Sequence, residues 1–356
     1  MSKRTAAQKI SQFVKLGVLG GGVCGGLLLQ RHDDRASKIL AYLSVNVMGT
    51  KATWQTNILA LSRGYYFKSR LVDNPEFRVK LWGREFSNPV GVAMDKNGEA
   101  VQGFSDLGFG FVQVGPVTPQ PQPQTCKCNM IKSDGYAMVR QRLEQVRAGG
   151  FSGVLGVGLG KSTMASEEAD HCEGVRQFAH LADYLVIGIS VKSKNDPKSL
   201  IQALLKARQD LKLSQPPALV IEICCGDWSE DDLKDIAEVI TSPGSQVDGL
   251  IMSQKNNAIR DMHRMTGGKV PIIGGKLVLS GEDAMQTMRA GASLVRMHGE
   301  FLVRGQACAT NIRRELGELL AKDGVENIIE WVGAENKDYM TETRYNLPSN
   351  SLNNVY

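Results

Sequence analysis

Aromatic residues make up only 6% of this 356-residue chain, with four tryptophans among them. Rings this sparse exclude an extended stacking platform for single-stranded nucleic acid. The net charge of +5 is also modest, so no nucleic-acid partner is expected from charge alone. The seven cysteines are an odd number. They contain no CxxC pair: Cys126 and Cys128 are two apart, and Cys224 and Cys225 are adjacent. No matching His/Cys set completes a zinc site, and free thiols in a reducing compartment are the expected state. Long apolar runs are missing as well. The run Leu16–Leu29 has 14 residues, short of the roughly 20 that span a bilayer. No acidic residue precedes Asp33.

That acid-free front carries Lys3, Arg4, Lys9, Lys15 and Arg31. Extended back through Ile10, Phe13 and Val14, its apolar run approaches spanning length, with Lys15 able to snorkel. Its glycines suit close helix packing in lipid. Residues 1–31 are therefore predicted as a membrane anchor with mitochondrial targeting character. A cleaved presequence or a disordered basic arm is the alternative, and a chain that still carries the segment at Met1 disfavours cleavage. Residues 32–76 read as a helical extension with apolar positions Ile39, Leu40, Leu43, Val47, Trp54, Ile58, Leu59 and Leu61. It either lies on a membrane or caps the main domain.

The pattern changes at Phe77. Short apolar runs (FRVKLWG, NPVGVAM, FGFVQVG, GVLGVGL, ADYLVIGIS, PALVIEI, VDGLIMS, VPIIGGK, ASLVRMH) alternate with helical stretches such as Pro197–Leu211, Glu230–Ile240 and Gly281–Ala290. Repeated βα units with fully apolar strands predict a parallel sheet covered on both faces. Their number favours a closed (β/α)8 barrel over residues 77–340, with 341–356 as a tail. Gln120–Lys132 reads as an excursion from the barrel rim. In such a barrel, chemistry sits at the C-terminal strand ends, which draws attention to Ala182–Lys194, an apolar run that turns basic at Lys192 and Lys194.

Three local features compete with that reading. GVGLGKS at 156–162 lacks the first glycine of a phosphate-binding P-loop, because Leu155 holds that place. His171, His180, Cys172 and Glu173 share no helical face, so a metal site is not expected. Glu222 lies inside a strand and is expected to pair with a nearby lysine.

Longer motifs carry a family signature. NPVGVAMDKNGEA (88–100), GFGFVQVGPVTPQPQP (108–123), SDG (133–135), GVGLGK (156–161), ADYLVI (182–187), VDGL (247–250), VPIIGG (270–275), SGEDA (280–284), RAGASLV (289–295) and VGA (332–334) stand in order along the chain. Together they resemble class 2 dihydroorotate dehydrogenase. The resemblance implies a TIM barrel, FMN, a quinone acceptor and, in eukaryotes, the mitochondrial inner membrane.

It also implies site residues, and many of these differ here. The family's catalytic serine falls on Val191, which has no group to accept a proton. Substrate-holding amides fall on Val139, Glu144, Gly188, Ser193 and Gln254. The FMN positions read Lys96, which is retained, then Gly158, Glu222 in place of a lysine, Gly275, Lys276, Leu277, His298 and Gly299. The quinone-tunnel arginine reads as Met130.

Buried sites that bind through paired polar groups fail sharply when partners are lost. The expectation is therefore a catalytically inactive pseudoenzyme that binds no cofactor. It would serve as a structural or accessory subunit of a respiratory or ATP-synthase complex in the inner membrane, with protein subunits and the bilayer as partners. The alternative is an FMN-dependent oxidoreductase of the dihydroorotate dehydrogenase class with an altered substrate. A third reading is an anionic-metabolite or RNA-binding module using Lys161, Lys192, Lys194, Lys255 and Lys276.

Overall fold

The structure is a computed structural model. It describes residues 34–66, 68–72, 74–122, 133–162, 166–190, 196–223, 228–275 and 277–336, with side chains from residue 41 onward. Eight parallel strands close into a barrel in the order β10-β3-β4-β5-β6-β7-β8-β9. They are β3 (Val90–Asp95), β4 (Phe111–Val117), β5 (Val154–Leu159), β6 (Tyr184–Ile189), β7 (Ala218–Ile223), β8 (Gly249–Met252), β9 (Ile272–Gly274) and β10 (Leu294–Met297). Each is covered on both faces, and this is why the runs are apolar throughout.

The first apolar run forms no barrel strand. β1 (Val79–Leu81) pairs antiparallel with β2 (Arg84–Phe86). The turn is made by Trp82 and Gly83, at φ 54° and 70°. This two-residue turn with two positive φ values matches the strand twist. It delivers the Trp82 ring to the closed, N-terminal end of the barrel. There the indole N–H donates to the Asp248 carbonyl at 2.7 Å and the ring packs on Tyr184.

Rings fill the lower lumen because glycines make room for them. A Cβ at Gly91 would lie 2.2 Å from the Phe111 ring, and one at Gly156 would lie 2.1 Å from the Tyr184 ring. The aspartates of ADYLVI and VDGL staple the same end. Asp183 accepts the Leu155 N–H at 2.8 Å and pairs with Arg147 at 2.8 Å. Asp248 accepts the Leu219 N–H at 2.7 Å and pairs with Arg208.

At the open end, helices α1 (Asp34–Met48) and α2 (Thr50–Ser62) form the extension. α2 buries Trp54, Ile58 and Leu61, and the Trp54 indole N–H donates to the Met94 carbonyl at the end of β3, at 3.0 Å. The membrane-associated extension expected from the sequence is thereby corrected. Its α2 face is spent on the barrel, and no helix among the described residues is long and apolar enough to cross a membrane. The predicted anchor at 1–31 lies outside the described residues. After β3 the next helix begins only at Val101, because Asp95 holds the intervening amides.

Gly156→Ala should destabilise the fold by about 1–3 kcal/mol, the usual cost of overpacking a filled core. Urea unfolding of the two proteins measures the difference.

Candidate active site

The loop after β3 is built by one carboxylate. Asp95 accepts the N–H groups of Asn97, Glu99 and Ala100 at 3.3, 2.9 and 2.6 Å. Burial raises its pKa, and these amides act in the opposite direction. The loop presents Lys96, 7% exposed, whose pKa burial of the ammonium pushes down to about 8. Asn97 Oδ1 accepts the Asp134 N–H at 3.1 Å, and Arg142 holds the Asp134 carboxylate at 2.8 Å. The loops above β3 and β4 are thus tied together.

Beside them, a cavity of about 230 Å³ opens over the ends of β4 to β7, lined by Gln113, Gly158, Lys161, His171, Gly188 and Glu222 among others. Strand register sets Gly158 opposite Val186 and Gly188 opposite Glu222. A Cβ at Gly158 would meet its nearest neighbour at 3.4 Å, an ordinary contact. The backbone therefore does not require glycine there; the missing side chain leaves open volume.

The floor is a charged layer. Arg296, on β10 and 5% exposed, crosses the lumen. Its Nη2 donates to Glu222 Oε1 at 2.5 Å and its Nη1 to Gln113 Oε1 at 3.0 Å. A lysine partner was expected for Glu222; among the described residues the partner is an arginine from across the barrel. Lysines are offered on the rim, but β10 aims a guanidinium directly inward. On one wall, His171 is 2% exposed, and its Nδ1 has no hydrogen-bond partner among the described residues. Burial lowers its pKa, which favours the neutral ring with a lone pair able to accept a proton.

A second polar feature lies at the ends of β9 and β10. The Leu277 N–H donates to Glu300 Oε1 at 3.1 Å, and the His298 N–H donates to Glu300 Oε2 at 2.7 Å. Leu277 takes φ 56°, a left-handed conformation that costs a bulky residue energy and suits glycine. A Cβ at Gly299 would meet nothing within 4 Å, whereas one at Gly275 would lie 2.3 Å from the Arg296 carbonyl. Two amides from separate loops therefore converge on one carboxylate.

The structure sorts the remaining positions singled out in the sequence. Val139 is buried in the core. Glu144 stands on the outer side of its helix, paired with Arg140 at 3.5 Å. Gln254 Nε2 donates to the Ile223 carbonyl at 3.4 Å. Lys161 pairs with Glu167 at 3.1 Å, and Lys255 precedes the helix Asn256–Met265. Met130, Val191, Lys192, Ser193, Lys194 and Lys276 lie outside the described residues. Sequence reasoning missed Gln113, Arg296 and Glu300, and it considered His171 only as a metal ligand. The inward alternation of Leu294 and Arg296 was the one available signal for the arginine.

A parallel eight-stranded barrel with a polar cavity at its C-terminal mouth has the architecture on which barrel enzymes place their chemistry. The family model for dihydroorotate dehydrogenase matches residues 76–212 and 249–320. The mitochondrial quinone-dependent dihydroorotate dehydrogenase of Arabidopsis thaliana is 30% identical, over 94% of this chain and 92% of its own length. The Mus musculus protein of the same name is 30% identical, over 90% and 96%. The crystal structure of the Eimeria tenella dihydroorotate dehydrogenase in complex with ferulenol superposes with a TM-score of 0.74 at 27% identity, covering 81% of this chain and 96% of that one. The chain belongs to the dihydroorotate dehydrogenase family, in its quinone-dependent class.

This membership overturns the expected pseudoenzyme. The similarity spans nearly the whole chain, and it is to proteins named as enzymes, one of them solved with a small molecule bound. The accessory subunit of a respiratory or ATP-synthase complex falls with it. So do the bilayer partner and the inner-membrane address. The first rested on the segment 1–31 and the second on the family resemblance as well; no helix among the described residues is long and apolar enough to cross a membrane.

Removing one member of the pair should be costly, because Arg296 is buried and Glu222 is only 27% exposed: Glu222→Met or Arg296→Met should each lose about 3–5 kcal/mol of stability. The double variant Glu222→Met/Arg296→Met should lose less than the sum, as a double-mutant cycle by chemical denaturation would record. Lys96 adds a pH signature. Its folded pKa lies below the unfolded one, so the unfolded chain binds more protons between about pH 8 and the ordinary lysine value near 10.4. Stability should rise with pH through that window relative to Lys96→Met, followed by thermal unfolding across the pH series.

Proposed function

We propose that this chain is an FMN-dependent oxidoreductase of the dihydroorotate dehydrogenase class whose substrate is not dihydroorotate. The cavity over β4 to β7 carries this reading. Its two inward glycines, Gly158 and Gly188, stand where the family resemblance puts asparagine amides, so a site that would grip dihydroorotate instead offers open volume above Glu222 and Gln113. Val191 at the serine position points the same way.

The residues present fit the phosphate of FMN. The amides of Leu277 and His298 would be its donors; in this structure both donate to the Glu300 carboxylate, which a bound phosphate would have to displace. Bound FMN would supply a hydride acceptor. The chain's own residues do the rest. Glu222, held by Arg296, presents carboxylate oxygen to hydrogen-bond donors on a substrate. Arg296 keeps a cation in the barrel floor although the family's lysine is absent, and it limits the cost of the buried carboxylate. His171 Nδ1 is a neutral acceptor for a proton leaving the substrate. The loop 95–100 and α2 pack together at the open end of β3.

The chain purified after expression with riboflavin supplementation should carry bound flavin, visible in its absorption spectrum. Anaerobic dihydroorotate should leave that spectrum unchanged. Other dihydro-heterocycles and hydroxy acids, screened in the same way, should include one that bleaches it. Failure to take up flavin on reconstitution would sink the proposal, as would rapid bleaching by dihydroorotate.

A further inference from the structure

Of the described residues lining the cavity over β4 to β7, only His171 has a buried polar atom without a hydrogen-bond partner. That atom is Nδ1, on a residue 2% exposed. We infer that this cavity selects a small neutral ring that donates an N–H to His171 Nδ1: a cyclic amide or urea that carries no carboxylate. The inference deepens the oxidoreductase reading by naming its class of substrate, and it rests on that reading for the chemistry that follows binding.

The chain holds the ring in place through its neighbours. His171 stands in the helix Glu167–Phe178, whose N-cap Ser166 accepts the Ala169 N–H. Asp170 accepts the Ser162 N–H at 2.6 Å, tying that helix to the loop after β5. Burial is the main cause that lowers the pKa of the His171 ring, and Lys161 adds to it; Glu167, Asp170 and the Leu159 carbonyl act the other way. The neutral ring leaves one nitrogen as an acceptor. A buried acceptor with no donor costs free energy, and a ligand N–H removes that cost. The cavity volume of about 230 Å³ lies below the roughly 300–1,000 Å³ of sites for drug-sized ligands, so it suits one small ring.

Charge on the lining excludes an anion. Glu222 is paired with Arg296 in the floor, and Glu167 with Lys161 at 3.1 Å. Among the described residues, an entering carboxylate therefore meets cations that are already committed. Drawing either one away leaves a partly buried carboxylate uncompensated, which is costly. Pro116, Leu159 and Val186 complete the wall with apolar surface, where a charged group also loses its hydration. A neutral N–H escapes both costs. It meets an acceptor in His171 Nδ1, and the Glu222 carboxylate stands on the same lining.

The test measures binding to the full-length chain by isothermal titration calorimetry, after its flavin content has been read from the absorption spectrum. Three probes share one ring: dihydrouracil, its N,N′-dimethyl derivative, which has no N–H, and dihydroorotate, which adds a carboxylate. Dihydrouracil should bind about tenfold more tightly than the dimethyl derivative and about a hundredfold more tightly than dihydroorotate. His171→Leu should weaken dihydrouracil about tenfold and leave the dimethyl derivative unchanged. His171→Asn, which restores a side-chain acceptor, should recover part of the loss and also controls for folding. Dihydroorotate binding as tight as that of dihydrouracil, equal dihydrouracil affinity in wild type and His171→Leu, or no dihydrouracil binding would each overturn the inference. Flavin uptake without dihydrouracil binding would reject this inference and leave the oxidoreductase reading standing. Dihydrouracil binding that depends on His171, in a chain that takes up no flavin, would do the reverse, so the two failures are distinguishable.

Discussion

The upper half of the barrel depends on one buried guanidinium. Arg296 reaches from β10 to Glu222 on β7 and Gln113 on β4, joining three strands that are not neighbours in the sheet. An uncompensated charge at this depth would cost several kcal/mol. Its partners therefore have to stand where they do, and the strand register that places them is fixed along with them. Below this layer the lumen is filled by rings, with Tyr184 and Phe111 seated over Gly156 and Gly91. Above it the lumen is open. The layer divides a packed, stabilising lower half from a cavity able to hold a ligand.

The same division explains the distribution of polar groups. At the closed end, Asp183 and Asp248 spend their carboxylates on strand amides and helix arginines. These groups are saturated by structure. At the open end, Asp95 saturates its own loop, while His171 Nδ1 is buried without a partner among the described residues. The Glu300 carboxylate accepts from the Leu277 and His298 amides. The polar cavity lies at the C-terminal mouth, in keeping with the usual seat of chemistry on this fold.

Comparing residue types position by position overstates loss of function. Glu222 in place of a lysine suggests a reversed charge, yet Arg296 supplies a cation beside it. Leu277 in place of a glycine suggests a closed cradle, yet the backbone keeps φ 56° and the side chain turns outward. Glu144 suggests a lost substrate amide, yet it lies on the outer side of its helix, paired with Arg140. Each substitution changes meaning once its neighbours in space are known.

The barrel, the alternation of its units and the family are all legible along the chain. Apolar runs, turn glycines and the motif aspartates are local features, and each acts through periodicity or spacing that a linear reading captures. The same reading marked Gly158, Gly188 and Glu222, which do converge in the cavity. It could not show that FRVKLWG forms a hairpin plug, that α2 is spent on the barrel rather than offered to a membrane, or that Arg296 and Glu300 answer Glu222 and Leu277. Those outcomes depend on contacts between residues as many as 183 positions apart, as with Arg296 and Gln113. No periodicity encodes such contacts; closing the barrel brings them together.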